Sequence, residues 1–215
     1  MNKLELFSGC GVFRLGFENA GYKFNKVIFS EINKHAIANY NYNFKKSIYA
    51  GSVIDIRSDE LPEIDIISFG SPCQDFSIAG NGVPMKAGTL TAGGNSGGLH
   101  SDMTVIPVLT PDRLNKRQNG RRFKNEGEAA FTLNCQDKHG VMITKKHGSH
   151  QSQIRRLTEI ECERLQGLPD DWTKYGLYEK GLKEIAKTRR YEMIGNAVSE
   201  PVVREVAKRI KKCLI

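Results

Sequence analysis

The chain has 215 residues, 39% hydrophobic and 26% charged, the proportions of a globular protein with room for one full core and a small appendage. No apolar run approaches the roughly 20 residues a bilayer demands, and the five cysteines (Cys10, Cys73, Cys135, Cys162, Cys213) form no C-x-x-C pair, so a membrane span, a disulfide framework and a zinc site are not expected. The net charge of +8 is lopsided: residues 1–110 hold 9 Lys and Arg against 10 Asp and Glu, residues 111–215 hold 23 against 14, and an excess gathered in one half suits a polyanionic partner.

Residues 3–7 (Lys-Leu-Glu-Leu-Phe) read as a first strand, Ser8-Gly9-Cys10-Gly11 as a tight turn, and 13–19 as a helix that stops near Gly21. The start carries Glu5 and lacks the long apolar core of a signal peptide, so a cytoplasmic, reduced protein is expected. Glycines in such a turn let a ligand approach the backbone while the free N–H groups of the helix point at it. Residues 27–31 (Val-Ile-Phe-Ser-Glu) read as a second strand ending on Glu31, 20 residues past Gly11. An acid at that spacing accepts hydrogen bonds from ribose hydroxyls, which favours a nucleoside cofactor. A helix is expected over 32–44, where Ala36, Ile37, Tyr40 and Phe44 recur on one face, then a short third strand and a turn within 49–56.

The strongly apolar run 64–69 reads as a buried fourth strand, and Gly70-Ser71-Pro72-Cys73-Gln74 follows it. A cysteine just past the carboxyl end of such a strand lies where open α/β sheets place ligands, in a loop stiffened by Pro72. After Gly80 the α/β pattern breaks: residues 81–110 are rich in Gly and Thr, with no helix long enough to return the chain for a fifth parallel strand. Two short Thr-rich stretches, 87–92 and 130–134, are candidate strands of a small recognition region. Around them lie Arg113, Arg117, Arg121, Arg122 and Lys124, suited to phosphates, with Gln136, His139 or Arg122 able to reach base edges. From Arg155-Arg156 onward α/β character returns. Thr158 with Glu161 makes a capping box, Gly167 and Pro169 stop that helix, and Pro201 opens a final helix whose apolar face is Val202, Val203, Val206, Ala207 and Ile210. The scattered His and Asp residues match no metal-ligand spacing, and no metal is assigned.

Four stretches in this order, Phe7-Ser8-Gly9-Cys10-Gly11, Gly70-Ser71-Pro72-Cys73-Gln74, Arg155-Arg156-Leu157-Thr158 through Leu165-Gln166-Gly167, and Gly195-Asn196-Ala197-Val198, resemble the motifs of the DNA cytosine-5 methyltransferases. The resemblance implies an α/β Rossmann-like sheet dependent on S-adenosylmethionine, here lacking its central strands, with a small irregular or β recognition region. It divides the chain into 1–80 and 154–215 as the two parts of the catalytic domain and 81–153 as the recognition region. It implies Cys73 as nucleophile and Phe7, Ser8, Gly9, Gly11, Glu31, Ser52, Pro72, Asn196, Ala197 and Val198 as cofactor residues, with Ser52 standing where the family usually has an aspartate. Duplex DNA is the implied partner, held by Arg113, Arg117, Arg121, Arg122, Lys124, Gln136, His139, Arg155 and Arg156, and the implied activity is cytosine methylation, as in restriction–modification. The family's Glu-Asn-Val motif is missing from the chain. An impaired DNA-binding remnant, or one chain of a complementing pair, is therefore the alternative. With no fifth strand encoded, the fourth strand becomes an exposed edge open to self-association or to a complementing chain.

Overall fold

The computed structural model describes residues 1–70, 103–113, 121–133, 137–145 and 152–213. Four strands form a parallel sheet: β1 (Asn2–Leu6), β2 (Lys26–Ser30), β3 (Ile48–Tyr49) and β4 (Ile66–Phe69), in the order β3-β2-β1-β4. The chain steps outward from β1 to β3 and then returns to the other side of β1, which creates the switch point where open sheets bind ligands. Each strand lies within a residue or two of its expected place.

Between the strands run α1 (Val12–Asn19) and α2 (Lys34–Asn43). Gly11 caps α1 from a left-handed conformation, φ 79°, and a Cβ there would stand 2.4 Å from the Phe44 ring, so only glycine fits. The Asn33 side chain caps α2 by accepting from the His35 and Ala36 amides. Behind the sheet Phe29 stacks on Tyr40 at 4.0 Å, and Phe44 meets Trp172 edge-on. Under this layer lies a charged pair: Glu5, fully buried, accepts from the Tyr40 hydroxyl (2.7 Å) and the Arg14 amide (3.1 Å) and stands 3.6 Å from Lys3, whose pKa burial lowers.

The carboxyl-terminal part returns to this layer. The expected capping box is present: Thr158 accepts from the Glu161 amide, and Glu161 reaches back to the Thr158 amide, opening α3 (Glu159–Leu165). The hairpin β8 (Tyr175–Tyr178) and β9 (Gly181–Glu184) rests on α2, whose Asn39 amide donates to the carbonyls of Trp172 and Tyr175. Then come α4 (Lys187–Gly195) and α5 (Glu200–Cys213). α5 crosses α1 at Gly16, where a Cβ would come within 2.6 Å of Val203, and the Tyr22 hydroxyl donates to the Ala207 carbonyl. As expected, the last helix packs on the first.

A second sheet is antiparallel, with β6 (His139–Lys145) between β5 (Met103–Leu109) and β7 (Gln153–Arg156). Its Val141 packs with Leu157, Cys162 and Ile194, so α3 and α4 form its floor. One sequence reading needs correction here. Residues 130–133 form no strand, because among the described residues no backbone partner lies alongside them; Asn134 and the stretch 87–92 fall outside the described residues. The strands of this region are instead β5, β6 and β7, and β7 runs across the expected boundary at 154. Among the described residues, no helix is long and apolar enough to cross a membrane.

Candidate cofactor pocket

The carboxyl ends of β1, β2 and β4 open on one cavity. Phe7, Ser8 and Gly9 line it after β1, Glu31 after β2 and Gly70 after β4, while Asn196, Ala197 and Val198 close it from the far end of the chain. Phe7 adopts φ 52°, a left-handed conformation rare for a non-glycine residue and characteristic of functional turns. Gly9 is also left-handed, and a Cβ added there would meet no protein atom within 4 Å. The Ser8 hydroxyl is buried without a hydrogen-bond partner.

Glu31 is anchored before any ligand arrives. One carboxylate oxygen accepts the Gly9 amide at 2.8 Å; the other accepts the amides of Ile32 and Asn33 at 2.8 and 2.9 Å. Three donors leave part of its acceptor capacity for a ligand. The far wall is fastened as well: Trp172 Nε1 donates to the Cys10 carbonyl at 3.0 Å, and the Gln166 amide donates to the Ile194 and Ala197 carbonyls.

Two of the expected cofactor residues stand apart from the cavity wall. Gly11 serves the packing against Phe44 and Tyr40, and Ser52 begins a short 3-10 turn beside Gly51, whose carbonyl accepts from Ser30. Conversely, Asn33, Ala36, Glu192 and Met193 line the cavity although the sequence reading passed over them. The signal for Glu192 was its position four residues before Asn196, on one helix face. Glu31 and Glu192 place two carboxylates at a wall with no Lys or Arg among its described residues, although Arg189 pairs with Glu192 at 2.6 Å from outside.

Cys73 and Pro72 lie outside the described residues. The described cysteines are poor nucleophiles or remote. Burial pushes the thiols of Cys10 and Cys162 up to about 12, and Cys213 lies exposed at the end of α5.

Comparison with known proteins settles the ancestry. The family model described as C-5 cytosine-specific DNA methylase matches residues 1–94 and 96–212. The chain belongs to this family. Among its relatives, the orphan methyltransferase M.SPRI of Bacillus phage SPR is 43% identical over 108 residues, which are 49% of this chain and only 23% of that protein's length. The type II methyltransferase M.Bsp6I of Bacillus sp. (strain RFL6) is 39% identical with 98% of each chain covered. That alignment is 324 positions long, 109 more than the 215 residues here. The solved Dnmt2 methyltransferase of S. pombe has the same fold at a TM-score of 0.54, with 13% identity over 100% of this chain and 98% of its own.

The DNA residues expected of a methylase fare unevenly. Arg117, Gln136 and the Arg113 side chain fall outside the described residues. His139 requires a correction: it is 8% exposed, and burial, reinforced by Arg156 and opposed by Asp137, lowers its pKa to about 4, so it is a neutral group of the sheet rather than a reader of base edges. Arg121 pairs with Glu128 at 2.8 Å, and the Lys124 ammonium sits 4.9 Å from the Phe131 ring centre; both chains remain near the surface. The Arg122 carbonyl accepts the Leu109 amide. Arg155 grips both oxygens of Glu161 at 2.6 and 2.8 Å, buttressing the capping box, and Arg156 stacks 3.9 Å over the Tyr191 ring. These last two are structural in the absence of DNA. No cluster among the described residues could hold a metal ion.

Proposed function

We propose that this chain is a cytosine-5 methyltransferase-type protein that binds S-adenosylmethionine in the cavity at the sheet's switch point and acts on cytosine in duplex DNA through Cys73. The observation that carries this reading is the meeting of both chain ends at one pocket: the Phe7–Gly9 turn and Glu31 on one side, Asn196 to Val198 on the other. The pocket suits that cofactor on its own chemistry. A buried Ser8 hydroxyl lacks a partner among the described residues, Glu31 retains acceptor capacity for ribose, and a Glu31 wall with no Lys or Arg among its described residues suits a ligand of net positive charge.

When bound, S-adenosylmethionine supplies an electrophilic methyl group. The protein's task is to make cytosine C5 attack it. The Cys73 thiolate would add to C6, leaving the electron pair at C5; C5 would take the methyl as its bond to the cofactor's sulfonium sulfur breaks and leaves the pair there as a thioether, a base would remove the C5 proton, and the Cys73 sulfur would depart with the pair that formed its bond. Gly70 lines the pocket only three residues before Cys73, and covalent reach alone keeps that cysteine within ~11 Å of it. The target base must leave the duplex stack, at a cost of about a few kcal/mol, which contacts from the basic second half offset.

A second reading, a binding protein without turnover, is favoured by one specific feature: the family's Glu-Asn-Val motif does not occur in the sequence. Duplex DNA carrying 5-fluorocytosine distinguishes the two readings, because its C5 substituent cannot leave as a proton and the covalent adduct persists. With cofactor present, the wild-type chain should form an adduct that Cys73→Ser abolishes. Salt-sensitive DNA binding with no adduct from either protein would overturn the catalytic reading and leave the binding one.

A further inference from the structure

The parallel sheet stops at an unfinished edge. β4 pairs only with β1 among the described strands, so its outer row of amides and carbonyls faces away from the sheet. Its two faces are also bare where they meet that edge. Ile67 and Phe69 alternate onto one face and are 59% and 60% exposed. On the other face, where Ile66 joins the Phe17 cluster, α5 turns Val203 and Ala207 inward but leaves Val202, Val206 and Ile210 exposed. These three are four residues apart and form one stripe along the helix. Val202 and Val206 of this stripe, with Phe13 and Phe17 of α1 and the 130–133 segment, line an apolar groove of about 410 Å³. Parallel sheets are ordinarily covered on both faces, and an open edge flanked by apolar surface marks a contact site.

We propose that this edge and groove dock a separate polypeptide that supplies the strand-and-helix units of the family's middle: one strand parallel to β4, with helices covering both faces. The proposal rests on the methyltransferase reading above and names the partner that completes its sheet. The alignment with M.Bsp6I covers 98% of each chain yet runs 109 positions beyond this chain's length, so that relative holds sequence of a size for several such units with no counterpart here. Residues 71–102 are a poor substitute: of 32 residues, 7 are Gly and only 6 are Val, Ile, Leu, Phe or Met, too few to cover an edge and two faces. A second copy is a poor substitute as well. A second copy seated on the groove would bring the α5 of one chain against that of the other, each with five cations (Arg204, Lys208, Arg209, Lys211, Lys212) against Glu200 and Glu205.

The test co-expresses this chain with the portion of M.Bsp6I that has no counterpart here, as a second polypeptide, and measures assembly by size-exclusion chromatography with light scattering, without cofactor or DNA. The expected result is a one-to-one complex that Val206→Glu and Ile67→Glu each weaken by about tenfold or more, while the melting temperature of the isolated chain is unchanged. No complex, or a complex indifferent to both substitutions, would overturn the proposal. So would substitutions that lower the melting temperature of the isolated chain, which would mean that its own residues cover the groove, or that dissociate a homodimer, which would assign the face to a second copy. Because neither cofactor nor DNA is present, a negative result leaves the pocket assignment standing, and failed cofactor binding would leave this one.

Discussion

At the scale of single residues, the pocket is built by backbone conformations that few side chains tolerate. Gly11 combines φ 79° with a ring 2.4 Å from where a Cβ would lie. Gly11→Ala should therefore destabilise the chain by about 2 kcal/mol or more, through left-handed strain plus overlap with Phe44, and calorimetric or chemical unfolding reads it. The glycines and Glu31 were legible because their spacing reports a strand–turn–helix unit. What Gly11 does was not, since its neighbour Phe44 lies 33 residues away and only folding brings them together. His139 shows the opposite failure. A polar residue in a basic stretch reads as a contact for DNA, yet pairing with β5 and the floor of α3 and α4 bury it. Its lowered pKa has a measurable consequence. A histidine held neutral in the fold supports stability above its ordinary value near 6.5 and loses that support as pH falls toward 4. The loss should reach on the order of 3 kcal/mol below pH 4, and His139→Gln should flatten stability across that window.

At the scale of elements, the first half folds where its pattern says it should, because each strand is an apolar run bounded by glycine or an acid and each helix carries its own stop. The α3 cap was legible for the same local reason. Arg155 adds a bidentate clamp that local pattern does not reveal, and it holds the Glu161 carboxyl down at about 2, with the Thr158 amide contributing. A depressed carboxylate pKa gives stability that is full above about 4.5 and lost as pH drops toward 2. Both side chains are partly exposed, so screening limits the effect: Glu161→Gln should cost about 1 kcal/mol or less at pH 7 and nothing at pH 2, measured by urea unfolding at both. The second sheet was not legible as drawn. Threonine-rich segments have strand propensity, but propensity yields to pairing: 130–133 finds no partner among the described residues, whereas β6, which opens on His-Gly, is held between two.

At the scale of the whole molecule, the distant ends of the chain make one site, and β4 ends the parallel sheet on one side among the described strands. α5 packs on α1, Gln166 and Trp172 fasten the final segment beside the glycine turn, and the cavity exists only when both ends are in place. Ancestry was legible at this scale from four motifs in order. Among the described strands β4 pairs only with β1, in line with the expected edge, while the apolar groove along α5 follows from which valines that helix buries.

The central claim is that this shared cavity binds S-adenosylmethionine, and isothermal titration of the intact chain with that cofactor tests it most directly. The account predicts saturable one-to-one binding that Glu31→Gln weakens by about tenfold or more, with the folded state retained. No saturable binding by the wild-type chain, or equal binding by Glu31→Gln, would contradict it.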